Sequence, residues 1–336
     1  MKKKLFGLFI FWLLVCIILN FLNNNIKKDK GNIEKYSMQK ENIVKQIEEL
    51  TVENYNYDLI NKVKVLYKDT GIIEEKKIDE YIVNVVAAEM PVDFESEALK
   101  AQAIVARTYT IYKVTKDKKH NDADICTDSN CCQAWISKED RFEKWEESKV
   151  EKWNKIVSAV NETKGKYITY NGEIINAFFH SNSSGKTEKP EDVWGGSLPY
   201  LDVVETSGEE NYTSYKSEMV VSKKDFINVL KDKFDSFEID FENNDCIKII
   251  DYTDSGRIKK IQIGNIIFSG TDIRKYFSLK STNFSVEIRE DDIIFYVLGY
   301  GHGVGLSQTG SDALAKNGFT VDEIIKHFYK NIEIHE

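Results

Sequence analysis

The sequence predicts an α+β fold, in which mixed helices and antiparallel strands form a substrate groove behind an N-terminal transmembrane anchor. Three features lead to that expectation. Residues 79–116 hold two helical stretches that meet at a proline, and strand-like segments joined by turn residues lie on both sides of them. An apolar run of eighteen residues, Leu5–Leu22, follows a lysine cluster near the start. At 336 residues the chain can hold one large domain or two modest ones with a proper core. A content of 42% apolar and 12% aromatic residues rules out a disordered chain.

Taken in order, the chain begins with an address. Residues 1–4 read as a cytoplasmic tail, and within Leu5–Leu22 only Asn20 is strongly polar. The length is at the short end for a spanning helix. The following NNNIKKDKG offers no small residues for signal cleavage, and Cys16 follows Leu-Leu-Val, a poor setting for lipidation. The lysines favour an anchor with its N-terminus inside. The expectation is thus a single-pass cell-membrane protein with a span over 5–22, a polar stalk over 23–53 and an extracytoplasmic domain over 54–336. The first thirty residues carry six lysines and one aspartate, so the rest of a chain of net charge −9 carries −14. Nucleic acid needs a clustered basic surface, which disfavours it as a partner; a neutral sugar chain fits better.

Within the domain, Lys62–Tyr67 and Ile72–Ile78 are strand-like around the turn Asp69-Thr70-Gly71. From Asp79 to Glu89, apolar residues at 82, 83, 85, 86 and 90 make a helical stripe, which Pro91 should end at Met90. A second helix should start near Asp93 as N-cap, with Glu95 and Glu97 in its first turn, and run to about Lys116. Lys138–Lys164 reads as one helix with Trp145, Trp153 and Ile156 inward. Lys166–Tyr170 and Glu173–His180 flank Asn171-Gly172, a strong type I′ hairpin signal. Lys216–Phe241 reads as a peripheral helical insert after a strand, and Cys246–Phe268 and Ser285–Leu298 as strand-rich. His327 is expected only to pack, on a last helix with the capping box Thr320 and Glu323.

Four stretches carry chemistry. Glu89 is a lone carboxylate at a helix end in an apolar run; it is either an exposed terminus or a buried acid whose pKa burial would raise. Residues 117–135 form a polar loop with His120, Cys126 and Cys132 spaced six and six, and Cys131 adjacent. Such ligands can hold Zn²⁺, completed by water, Cys131 or an aspartate, or Cys126 can form a disulfide with either neighbour. The small-residue loop 181–188 and Trp194-Gly195-Gly196 allow close approach of a ligand to the backbone, or are turns. Gly299–Gly310, GYGHGVGLSQTG, matches no phosphate-binding pattern; it reads as a groove wall presenting His302, Ser307 and Gln308, or as a structural turn.

Together VVAAEMP after Glu80-Tyr81, EALKAQAIVARTYT, Cys132-Gln133, SSGKTE, Trp194-Gly195 and GYGHGVGLSQTG resemble the stage II sporulation protein D family. The blocks occur in that family's order over about residues 60–332. The resemblance implies a lytic transglycosylase that cuts MurNAc–GlcNAc bonds of peptidoglycan glycan strands during forespore engulfment. Its substrate would be glycan stripped of stem peptides by a partner amidase, stage II sporulation protein P, in a complex that includes protein M in the engulfing membrane of the mother cell. It carries the catalytic acid onto Glu89 and an associated arginine onto Arg107. Tyr109, Ser183, Gly185, Tyr200, His302, Gly303, Ser307 and Gln308 are the expected groove residues. A structural zinc is carried onto His120, Cys126 and Cys132. Ser184 stands where many relatives have a second glycine. The alternatives are a water-using muramidase with Asp93 or Glu95 as second carboxylate, and a non-catalytic activator of an amidase.

Overall fold

Pro91 disfavours helical geometry in the residue before it, and Met90 takes extended angles, φ −114° and ψ 139°. That break separates helix α1, Ile78–Glu89, from helix α2, Ser96–Thr115. The computed structural model describes Tyr57 and residues 60–336. The expected single-pass membrane placement is withdrawn: among the described residues no helix is long and apolar enough to cross a membrane. The run Leu5–Leu22 and the stalk over 23–53 lie outside the described residues.

The stripe on α1 buries Ile82, Val85 and Val86 as expected, together with Tyr81. α2 starts later than expected. Asp93 is exposed, and Glu95 flanks the helix while its N–H donates to Asp312 at 2.6 Å. The helix start is therefore held by a residue more than two hundred positions away, not by a local cap. α2 is the axis of the fold. Leu99, Ala103 and Ala106 enter one apolar cluster with α1, while Ala101, Ile104 and Val105 enter a second with the C-terminal residues Ile324, Ile325 and Phe328. A helix apolar on two faces has to be central.

Strands β1, Lys62–Leu66, and β2, Ile73–Lys77, form the expected hairpin, and β3, Ile125–Cys126, joins β1 in parallel. The single helix expected over Lys138–Lys164 is two, α3 at Lys138–Lys144 and α4 at Lys149–Glu162. Ser148 between them takes φ 52°, which no helix continues through. Trp145, Trp153 and Ile156 are buried as expected. β4, Tyr167–Tyr170, and β5, Glu173–Ile174, turn through Asn171 and Gly172 at φ 51° and 77°. The second strand does not reach His180 as expected; β6, Phe179–His180, is separate and pairs in parallel with Leu306–Ser307. After the short helix α5, Pro190–Trp194, comes the insert.

The insert has its own core of Phe226, Leu230, Phe237, Ile261 and Phe295. It contains β7, Lys216–Ser222, helix α6, Lys223–Lys231, and β8, Ile247–Tyr252. β9, Ile258–Ile263, β10, Ile266–Ser269, and helix α7, Gly270–Tyr276, follow. β11, Asn283–Ile288, and β12, Asp292–Leu298, complete two antiparallel sheets of order β10-β9-β8 and β11-β12-β7. β13, Leu306–Ser307, leads into α8, Gln308–Lys316, and α9, Val321–Phe328, which carries the expected capping box. β14, Glu333–His335, closes the chain against β4. The expected α+β class holds, with antiparallel pairing dominant and two parallel pairs added.

Candidate active site and metal centre

The end of α1 and the start of α8 meet at Glu89. Its Oε1 accepts the Ala134 N–H at 2.6 Å, and the Gln308 side chain hydrogen-bonds to it. Burial, the largest influence, raises its pKa above the ordinary carboxylate value, while the two hydrogen bonds pull the other way. Glu89 is part-buried rather than an exposed terminus. Ala88 and Ala134, its neighbours, line a cleft of about 700 Å³ with Tyr67, Trp135 and Arg141. Trp135 Nε1 and Arg141 Nε are buried there without a hydrogen-bond partner among the described residues.

Arg107 is not brought to Glu89. It is 2% exposed, and its Nε and Nη2 donate to Asp79 Oδ1 at 3.1 and 2.9 Å. Its remaining donors reach the carbonyls of Lys166 and Val160, both at 3.3 Å. Asp79 lies in the first turn of α1, so Arg107 clamps the helix that ends in Glu89. Tyr109, expected at the groove, is instead buried in the core beside Cys132, with the Lys113 ammonium 5.2 Å from its ring. A side chain enclosed in this way offers a ligand little surface. Asp93 and Glu95, the candidate second carboxylates, are exposed.

The two loops expected to wall the groove converge on a residue the sequence did not single out. Glu209 is fully buried. Its Oε1 accepts from Ser183 N–H at 3.1 Å, Thr309 Oγ1 at 2.9 Å and the Ser307 hydroxyl. Its Oε2 accepts from Ser183 Oγ and Thr206 Oγ1, both at 2.6 Å, and from Gly185 N–H at 3.0 Å. Ser183, Gly185 and Ser307 are thus brought together as loop fasteners. Arg257, from the insert, adds a second fastener through Ser183 O at 2.6 Å and Lys186 O at 2.9 Å. Both residues follow turn-like sequence, Ser207-Gly208 and Asp254-Ser255-Gly256, which marks them as surface rather than as buried charges.

The other groove residues are placed as follows. The Tyr200 hydroxyl accepts the Asn176 N–H at 3.0 Å, within the core. His302 Nδ1 accepts the Val304 N–H at 3.0 Å, and its ring lies 5.2 Å from the half-exposed Trp194. Burial first, then His180, Arg274 and Arg257, hold its pKa well below the ordinary histidine value, so it is neutral. The carbonyl of Gly303 accepts the Glu188 N–H at 2.8 Å. A side chain at Gly303, which has φ 85°, would meet the Arg257 guanidinium at 2.8 Å. Gln308 alone among these residues hydrogen-bonds to Glu89. His327, expected only to pack, also bonds the Glu205 carbonyl at 2.7 Å.

The polar loop gathers His120, Cys126 and Cys132, and Cys131 with them, so that their ligand atoms all lie within 4.8 Å of one another. All three cysteines are free, so the disulfide alternative is not the one adopted. The mixed nitrogen and sulfur donor set and its spacing fit a metal ion.

The family described as stage II sporulation protein matches residues 67–170, the span that holds Glu89, Arg107 and the His/Cys cluster. The chain is 34% identical over 266 residues to stage II sporulation protein D of Bacillus subtilis (strain 168), covering 79% of this chain and 76% of that protein. The protein of that name from Bacillus amyloliquefaciens is 31% identical, with the same coverage of 79% and 76%. An amidase enhancer of Bacillus subtilis (strain 168) is 27% identical over 295 residues, covering 73% of this chain and 39% of that protein.

Proposed function

The chain belongs to the stage II sporulation protein D family, and we propose from that premise that it is a lytic transglycosylase of peptidoglycan glycan strands, acting in forespore engulfment. The observation that carries this reading is Glu89, a part-buried carboxyl with a raised pKa whose neighbour Ala88 and hydrogen-bond partner Ala134 line a polar cleft. A protonated Glu89 can donate to the glycosidic oxygen between MurNAc and GlcNAc. The resulting carboxylate accepts the proton of the MurNAc C6 hydroxyl as that oxygen attacks C1. The C1–O4 bond breaks, GlcNAc leaves with the donated proton, and a 1,6-anhydro ring closes. One carboxyl serves both steps, so no second nucleophilic carboxylate is required.

The rest of the site supports that role. Ala134 N–H and Gln308 orient the carboxyl, and Trp135 and Arg141 line the cleft beside it. Arg107 acts at one remove as a positioning residue, through Asp79 and α1. Ser183, Gly185 and Ser307 staple the loops that lead into Gln308, whose side chain hydrogen-bonds to Glu89. The substrate is glycan freed of stem peptides, supplied by the amidase stage II sporulation protein P, with protein M in the same assembly. His120, Cys126 and Cys132 would hold a zinc ion that serves structurally, pinning the loop that delivers Ala134 to Glu89.

The test is digestion of amidase-treated sacculi, with product masses read for 1,6-anhydromuramic ends. Glu89→Gln is expected to abolish them while keeping the fold, since an amide cannot give up the proton. Products one water heavier would indicate the muramidase reaction, for which Asp140 and Glu143 also line the cleft. Anhydro ends made at full rate by Glu89→Gln would refute the assignment. The similarity to an amidase enhancer favours, as second reading, a non-catalytic activator. In that case Glu89→Gln would leave stimulation of the amidase intact and neither protein would release anhydro ends.

A further inference from the structure

We propose that Cys131 is the fourth zinc ligand, giving a closed Cys3His site in place of a three-ligand site with an open position. The proposal rests on reading the cluster as a zinc site and adds which atom completes it. Tetrahedral zinc has bonds of about 2.3 Å to sulfur and about 2.0–2.1 Å to nitrogen, which place sulfurs about 3.8 Å apart and sulfur about 3.5 Å from nitrogen. Cys131 Sγ lies 3.9 Å from Cys132 Sγ and 3.8 Å from His120 Nε2, and Cys132 Sγ lies 3.5 Å from His120 Nε2. These three separations match one face of a zinc tetrahedron to within a few tenths of an ångström, and Cys126 Sγ lies within 4.8 Å of all three atoms.

The local chain explains how adjacent residues reach one centre. The N–H groups of Cys131 and Cys132 both donate to the Asp128 carbonyl, at 3.0 and 2.8 Å, in a tight turn that brings both sulfurs to the His120 ring. Among the described residues no aspartate joins the cluster of ligand atoms, and two of the nearby ones are engaged elsewhere. Asp128 pairs with Lys68 at 2.9 Å, and Asp124 Oδ2 accepts the Lys64 N–H at 2.8 Å. Three thiolates on a divalent ion leave one net negative charge. The Lys119 side chain hydrogen-bonds to Cys131 and offsets it. A closed shell has no place for a metal-bound water, which fits the structural role.

Zinc-edge X-ray absorption on the purified chain tests this directly. The wild type is expected to show three sulfur neighbours and one nitrogen, and Cys131→Ala two sulfurs, one nitrogen and one oxygen. In competition with a chelator, Cys131→Ala should release zinc at least about tenfold more readily, since even loss of an outer-shell partner costs that much. A wild-type protein without zinc would overturn the zinc reading itself. Zinc held by two sulfurs in the wild type, or an unchanged sulfur count in Cys131→Ala, would overturn the role of Cys131 alone.

Discussion

Replacing Glu209 by alanine removes the acceptor on which both groove loops close, and the cost can be worked from its partners. Six hydrogen bonds end on this fully buried carboxylate. Some of the hydroxyls have other recourse: Ser183 Oγ and Thr206 Oγ1 already lie 2.5 Å apart, and Thr309 Oγ1 also reaches the Ser181 carbonyl at 3.1 Å. The backbone N–H groups of Ser183 and Gly185 have none. Each stranded buried donor costs about 1–3 kcal/mol, so the two together cost about 2–6 kcal/mol before any cavity is counted. Arg257, whose charge Glu209 helps to balance, is left less compensated as well. Set against a native stability of about 5–15 kcal/mol, this is severe. Urea unfolding should show a lower midpoint with unchanged slope and a loss of at least about 2 kcal/mol. Glu209→Gln keeps one acceptor oxygen and should lose less. A loss in Glu209→Ala under about 1 kcal/mol, typical of a surface position, would refute the account of the hub.

Further expectations concern the site and its supports. Glu89 has a raised folded-state pKa, so its contribution to stability is full below the unfolded value and is lost as pH rises through the folded one. Glu89→Gln should therefore melt higher than wild type at pH 7 and converge with it near pH 4; a gap that does not close on acidification counts against burial as the cause. Over the same rise, glycan cleavage by the wild type should fall as the acid ionises. Arg107→Ala is expected to lose about 3 kcal/mol, the lower part of the range for broken buried pairs, because Asp79 retains 26% exposure. If Arg107 acts through Asp79, Asp79→Asn should lower turnover too, and the double variant should add little in a mutant cycle; full additivity would argue against the clamp. Gly305 has φ 74°, and a Cβ there would lie 2.0 Å from the Phe178 carbonyl oxygen, where β6 meets β13. Gly305→Ala should thus destabilise the chain far more than Gly172→Ala, which has φ 77° but open space. Equal melting temperatures for the two would remove the steric argument.

What the sequence determined by itself is what short-range sterics and hydrogen bonds decide. Pro91 ended α1 at Glu89, Asn171-Gly172 turned the hairpin, and Thr320 and Glu323 capped α9. Each of these rules operates within a few residues of its cause. Tertiary structure decided the rest. The resemblance set Arg107 with Glu89, whereas packing holds it on Asp79. Ser183, Gly185 and Ser307 were legible as a small-residue site, but not as the partners of Glu209. The start of α2 passed from Asp93 to Glu95 because Asp312 lies against it. Parallel pairs such as Val65 with Ile125 leave no local mark, because their register is set by which segments the core brings together. A buried charge needs partners from wherever the fold can supply them, and such partners need share no sequence neighbourhood.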